Sequence, residues 1–182
     1  MACRGSNIFG QLGDGTTEYK TEFTPVKGLP SNETVVAMST GEANTCAVVS
    51  SGNAYCWGFN MYGLNGDGTS SLHEVPVKFD LHPELQNITT IDGANGNYCA
   101  IHHEGALGCW GSNSFGLVAD GSTDSWVDKV HLLDDSTFGD GAKKITFSNT
   151  KACALIIDGS LWCWGAESLD GVATPVKVPQ FG

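Results

Sequence analysis

At 182 residues, the chain is long enough to bury one compact core. Its formal charge of −11, from 20 acidic and 9 basic side chains, repels a phosphate backbone, and its longest basic cluster is only Lys143-Lys144. No apolar run reaches the roughly 18 residues of a membrane span, and an apolar content of 41% argues against disorder.

The chain opens on Met1-Ala2-Cys3, with neither the basic start nor the apolar stretch of a signal peptide. It enters at once the segment Cys3-Arg4-Gly5-Ser6-Asn7, which returns as Cys56-Trp57-Gly58-Phe59-Asn60, Cys109-Trp110-Gly111-Ser112-Asn113 and Cys163-Trp164-Gly165-Ala166-Glu167. The four cysteines are separated by 53, 53 and 54 residues, a period that marks a repeat architecture. The first unit starts halfway through, so the chain is expected to be a fragment of something longer. The units run approximately over 1–30, 31–83, 84–137 and 138–182.

Each unit spells out short strands in a fixed order. An apolar strand comes first: Val35-Val36-Ala37-Met38, Ile88-Thr89-Thr90-Ile91 and Lys144-Ile145-Thr146-Phe147. A small residue follows at Gly41, Ala94 and Ser148, which suggests close backbone approach. Next come Thr45-Cys46-Ala47-Val48, Tyr98-Cys99-Ala100-Ile101 and Ala152-Cys153-Ala154-Leu155, each ten residues ahead of the repeating cysteine. If Cys46 sits opposite Cys56, a hairpin turns on Ser50-Ser51-Gly52, with Gly52 supplying the positive φ; Gly105 and Gly159 hold the same place in the other two. A Pro-Val strand closes the unit (Thr24-Pro25-Val26-Lys27, Val75-Pro76-Val77-Lys78, Thr174-Pro175-Val176-Lys177), with Val127-Asp128-Lys129-Val130 as the divergent copy. Proline cannot donate to a ladder, so this strand is placed outermost. Alternate positions are apolar on both faces, with Cys46, Val48, Ala54 and Cys56 on one and Ala47, Tyr55 and Trp57 on the other, as in a sheet sandwiched between neighbours. The reading is all-β: a β-propeller of four-stranded antiparallel blades, an incomplete ring of about three and a half blades.

Asn7-Ile8-Phe9-Gly10-Gln11-Leu12-Gly13-Asp14-Gly15-Thr16-Thr17 resembles the asparagine–glycine–glutamine–leucine–glycine loop of regulator of chromosome condensation repeats, and the Cys-Ala-Val…Gly…Tyr-Cys-Trp-Gly hairpin resembles the rest of that unit. The loop drifts through Asn60–Thr69 and Asn113–Ser122 to an abbreviated Glu167-Ser168-Leu169-Asp170-Gly171, and the family's histidine before the hairpin cysteine is replaced by Asn44, Asn97 and Lys151. These losses are read as drift in solvated loops. The resemblance implies a ring of seven blades, so further blades or a second copy are expected to cover the open ends. It also implies, as one role, guanine nucleotide exchange on a small Ran-type GTPase. Against that role stand the absence of a prying insertion and of a basic tail for chromatin.

Cys46/Cys56, Cys99/Cys109 and Cys153/Cys163 stand ten apart and are either bridged, which would imply an oxidising compartment and an extracellular protein, or reduced and packed between blades in a cytoplasmic or nuclear one. Cys3 is left unpaired. The sequons Asn32-Glu33-Thr34 and Asn87-Ile88-Thr89 carry little weight by themselves. The Asp-Gly steps at 14–15, 67–68, 120–121 and 170–171 read as turns rather than calcium loops. His102-His103 falls at a hairpin tip and reads as solvated, and Trp57, Trp110 and Trp164 read as core. Trp126, outside the repeat register, is the candidate anchor for a partner. No catalytic residues, no metal ligands and no cofactor are assigned, so the expected role is a non-catalytic module that binds another, unidentified protein. The acidity serves solubility and also suits a basic partner.

Overall fold

The computed structural model describes residues 1–78, 85–94, 96–122, 124–133, 135–166 and 174–179. The first sheet has two strands, β1 (Ala2–Gly5) and β2 (Lys20–Pro25). Three four-stranded antiparallel sheets follow. One comprises β3 (Val35–Thr40), β4 (Asn44–Val49), β5 (Ala54–Gly58) and β6 (His73–Lys78). The next has β7 (Ile88–Ala94), β8 (Asn97–His102), β9 (Leu107–Ser112) and β10 (Trp126–Leu133). A short helix, α1 (Asp135–Phe138), leads to β11 (Ala142–Phe147), β12 (Lys151–Ile156), β13 (Leu161–Gly165) and β14 (Val176–Lys177).

Within each sheet the strands lie in sequence order, and the first strands of successive sheets pack on one another, β3 on β7 and β7 on β11. This is the radial arrangement of propeller blades. The Pro-Val strands β2, β6 and β14 each pair on one side only and form outer edges, so their prolines cost no ladder bond. The innermost strands share an irregularity: the register shifts between Val35 and Ala37, Ile88 and Thr90, and Ala142 and Lys144.

The hairpins follow from turn chemistry. Val49 N–H bonds the Asn53 carbonyl at 2.9 Å, and Gly52 takes φ 77° inside the three-residue loop. Gly105 and Gly159 occupy the same place at 96° and 87°. Cys46 faces Cys56, Cys99 faces Cys109 and Cys153 faces Cys163, and all three pairs are disulfide-bonded with Cα atoms 4.1 Å apart. Cys3, half-buried, is free.

The core lies between blades. One cluster joins Cys99, Leu107 and Val118 to Ile145, Ala154 and Trp164, and a second joins Val48, Cys56 and Leu85 to Ile91, Tyr98 and Trp110. Each blade is tied to its predecessor by one indole. Trp57 Nε1 donates to the Gln11 carbonyl at 2.9 Å, Trp110 to Leu64 at 3.0 Å and Trp164 to Leu117 at 2.9 Å. Gly13 and Gly66 permit this approach, because a Cβ there would stand 2.7 and 2.9 Å from the Trp57 and Trp110 nitrogens.

The same repeat position shows where the stacking stops. Ile91 and Ile145 are 4% and 2% exposed, covered by the preceding blade. Met38, their counterpart on β3, is 49% exposed, since the blade before it contributes only β1 and β2.

Candidate functional site: the loop rim

Because every blade runs up, down, up and down, its connections sort onto two rims. The hairpin tips at 50–53, 103–106 and 157–160 make one rim. The long loops 6–19, 59–72 and 113–125, with the short β3–β4 turn at 41–43, make the other.

The long loops are ordered structures rather than the solvated connections that sequence drift suggested. Asn7, Asn60 and Asn113 are buried, and each holds its loop closed from within. Asn60 Oδ1 accepts from Asn65 N–H at 2.8 Å, while its Nδ2 donates to Asp67 Oδ1 at 3.2 Å and to the Thr69 carbonyl at 3.1 Å. Asn7 does the same with Leu12, Asp14 and Thr16, and Asn113 with Val118, Asp120 and the hydroxyl of Ser122. The Asp-Gly steps complete this design. Asp14, Asp67 and Asp120 accept from the backbone N–H two residues on, and the following glycines take φ of 77°, 72° and 73°. The step at 170–171 lies outside the described residues.

Burial pushes the Asp67 carboxyl up, but bonds from Thr69, His73 and Asn60 outweigh it and hold the group below the usual carboxylate range. Asp14 behaves likewise, with Thr16, Asn7 and Lys20 outweighing burial. His73 Nε2 stands 2.8 Å from Asp67 Oδ2, so this His–Asp pair pins β6 to the loop.

Once closed, the loops turn apolar side chains outward. The rings of Phe9 and Phe59 meet edge to face at 5.0 Å, Phe59 and Tyr62 at 6.0 Å, and Tyr62 and Trp126 at 5.6 Å. Trp126 is 54% exposed at the start of β10, and Ile8, Met61 and Phe115 are exposed beside this line. Between the loops opens a cleft of about 510 Å³ that draws residues from three successive blades, from Ser6 through Glu42 and Phe59 to Ser112. Trp126 is the one rim residue that stood out in the sequence. Phe9, Tyr62 and Glu42 did not, although Phe9, Tyr62 and Phe115 recur at the repeat spacing of 53.

On the opposite rim, His102, His103 and Glu104 gather ligand-type atoms within 4.8 Å of one another. Their geometry is explained by the turn: Glu104 N–H donates to His102 Nδ1, and His103 Nδ1 lies 3.1 Å from His102 Nε2. Both sequon asparagines, Asn32 and Asn87, are exposed. No helix among the described residues is long and apolar enough to cross a membrane.

A family model described as the regulator of chromosome condensation (RCC1) repeat matches residues 35–68. The E3 ubiquitin-protein ligase HERC2 of Homo sapiens is 26% identical over 168 residues, which cover 86% of this chain and 3% of the ligase. Among solved structures, human WBSCR16 superposes with a TM-score of 0.82 at 22% identity, over 97% of this chain and 46% of that one. Prp20p of Saccharomyces cerevisiae superposes at 0.63 with 17% identity, over 99% and 59%. The chain therefore spans a small part of the ligase and about half of each solved relative. The chain is built of RCC1-like β-propeller repeats, and the residues described form part of a ring.

Proposed function

We propose that this chain is a non-catalytic segment of a protein-binding propeller and that its loop rim meets the partner. The observation that carries the reading is Trp126, exposed yet held against Tyr62 in a rigid row of rings. Aromatic anchors on ordered backbone lose little freedom on binding, which is why they dominate interface energetics. Pull-down by the wild-type chain and by Trp126→Ala tests it. A partner retained equally by both would refute the assignment of the anchor.

A second reading, guanine nucleotide exchange on a small Ran-type GTPase, draws support from the comparisons. The Prp20p structure is described together with that protein's binding to Gsp1p and histones, and it shares this chain's fold. Release of a fluorescent guanine nucleotide from a Ran-type GTPase decides between the two. No acceleration by the chain would remove the second reading.

The compartment separates them as well. Three hairpin disulfides favour an extracellular setting, whereas exchange on a nuclear GTPase calls for reduced thiols. Thiol titration of the denatured, unreduced protein should find Cys3 alone. The uncovered face at Met38 is assigned to further blades or a second copy.

A further inference from the structure

The cleft on the loop rim has a specific chemical character. Phe9, Phe59 and Tyr62 make its apolar wall, and Glu42 on the β3–β4 turn is the one charged lining residue among those described. Among the described lining residues, none carries a cation to face that carboxylate. Asn44 also lines it and is 2% exposed. Its Oδ1 accepts from the Tyr98 hydroxyl at 2.9 Å, which ties this turn to the next blade.

We infer that this cleft is the docking groove for an extended basic peptide segment of a partner protein. An arginine or lysine head pairs with Glu42, and the apolar stem lies along Phe9, Phe59 and Tyr62. Arginine suits such a site doubly, since its guanidinium both pairs with a carboxylate and stacks on aromatic faces. The chain's −11 charge draws a cationic segment in and disfavours a second copy of this acidic chain as the occupant. An anionic ligand would meet Glu42 with nothing to offset it. The inference rests on the protein-binding reading and specifies its partner.

The test is fluorescence polarisation with the full chain and a fluorescein-labelled peptide of alternating arginine and leucine, against its glutamate–leucine counterpart. The basic peptide should bind and the acidic one should not. Tyr62→Ala should weaken binding more than about tenfold, as removal of an interface anchor does. Glu42→Lys should weaken it by a comparable factor, whereas Glu22→Lys, the same charge change on exposed β2, should leave it unchanged. All three positions are exposed, so the variants keep the fold. Absence of binding, equal binding of the acidic peptide, or equal loss in Glu42→Lys and Glu22→Lys would each overturn the inference. The broader reading is judged separately, by whether Trp126→Ala loses a partner in the pull-down.

Discussion

Asn60→Ala removes a side chain that no single loop contact can replace. The Asn65 N–H loses its acceptor, and Asp67 and the Thr69 carbonyl lose a donor, all in a loop whose Asn60 is 1% exposed. A buried donor left unmet costs about 1–3 kcal/mol, and a lost bond to a charged acceptor about 1.5–3 kcal/mol. With water entering to replace part of this, the net should be about 3 kcal/mol. Urea unfolding followed by circular dichroism reads the global loss, and hydrogen exchange on the 60–69 segment reads the local one. Asn60→Asp sharpens the test, because it sets a second carboxylate against Asp67. That variant should be weaker than Asn60→Ala at pH 7 and recover as the pH falls toward 4, where one of the pair takes a proton. A loss under about 0.5 kcal/mol with unchanged exchange in the loop would refute the claim that this asparagine holds the rim together.

Four further outcomes are expected. Replacing Cys99 and Cys109 together by serine should cost about 2.5 kcal/mol, the entropy of a closed loop of about ten residues, read as a lower melting temperature that reductant lowers further by less than in the wild type, since two disulfides remain. Asp14 and Asp67 have depressed native pKa values, so their stabilisation is complete above the unfolded carboxylate value of about 3.9 and is lost as pH falls through the lower native values. The urea midpoint should therefore drop below about pH 4, and less steeply in Asp67→Asn. Trp110→Phe keeps a ring but loses the bond to Leu64 and leaves a void, for about 2 kcal/mol in urea unfolding. Met38→Lys should change stability by less than about 0.5 kcal/mol while Ile91→Lys costs at least about 4 kcal/mol, unless a further blade or second copy covers Met38, in which case light scattering should register its loss.

The fold was legible because a hairpin leaves arithmetic in the sequence. Paired cysteines ten apart with glycine at a fixed offset specify both register and turn, and proline names the outer edge. What the sequence hid was burial in the long loops. Asn60, Asp67 and Thr69 have the composition of a solvated turn, and only the repetition of the set at 7/14/16 and 113/120/122 separates an internal scaffold from a wet connection. The rim was obscured for a related reason. Phe9 and Tyr62 look like core residues in a strand-rich chain, and their outward aim depends on the asparagine-held loop beneath them. Asn44 shows in the sequence only as a departure from the family's histidine, and its bond to Tyr98 joins residues 54 apart.

The three indole bonds all run the same way, each from a later tryptophan to a carbonyl 46 or 47 residues earlier. During synthesis, then, a loop waits for its latch until most of the following unit has left the ribosome. Assembly trails translation by nearly one repeat, and the newest loop at any moment is the one most open to proteases or chaperones.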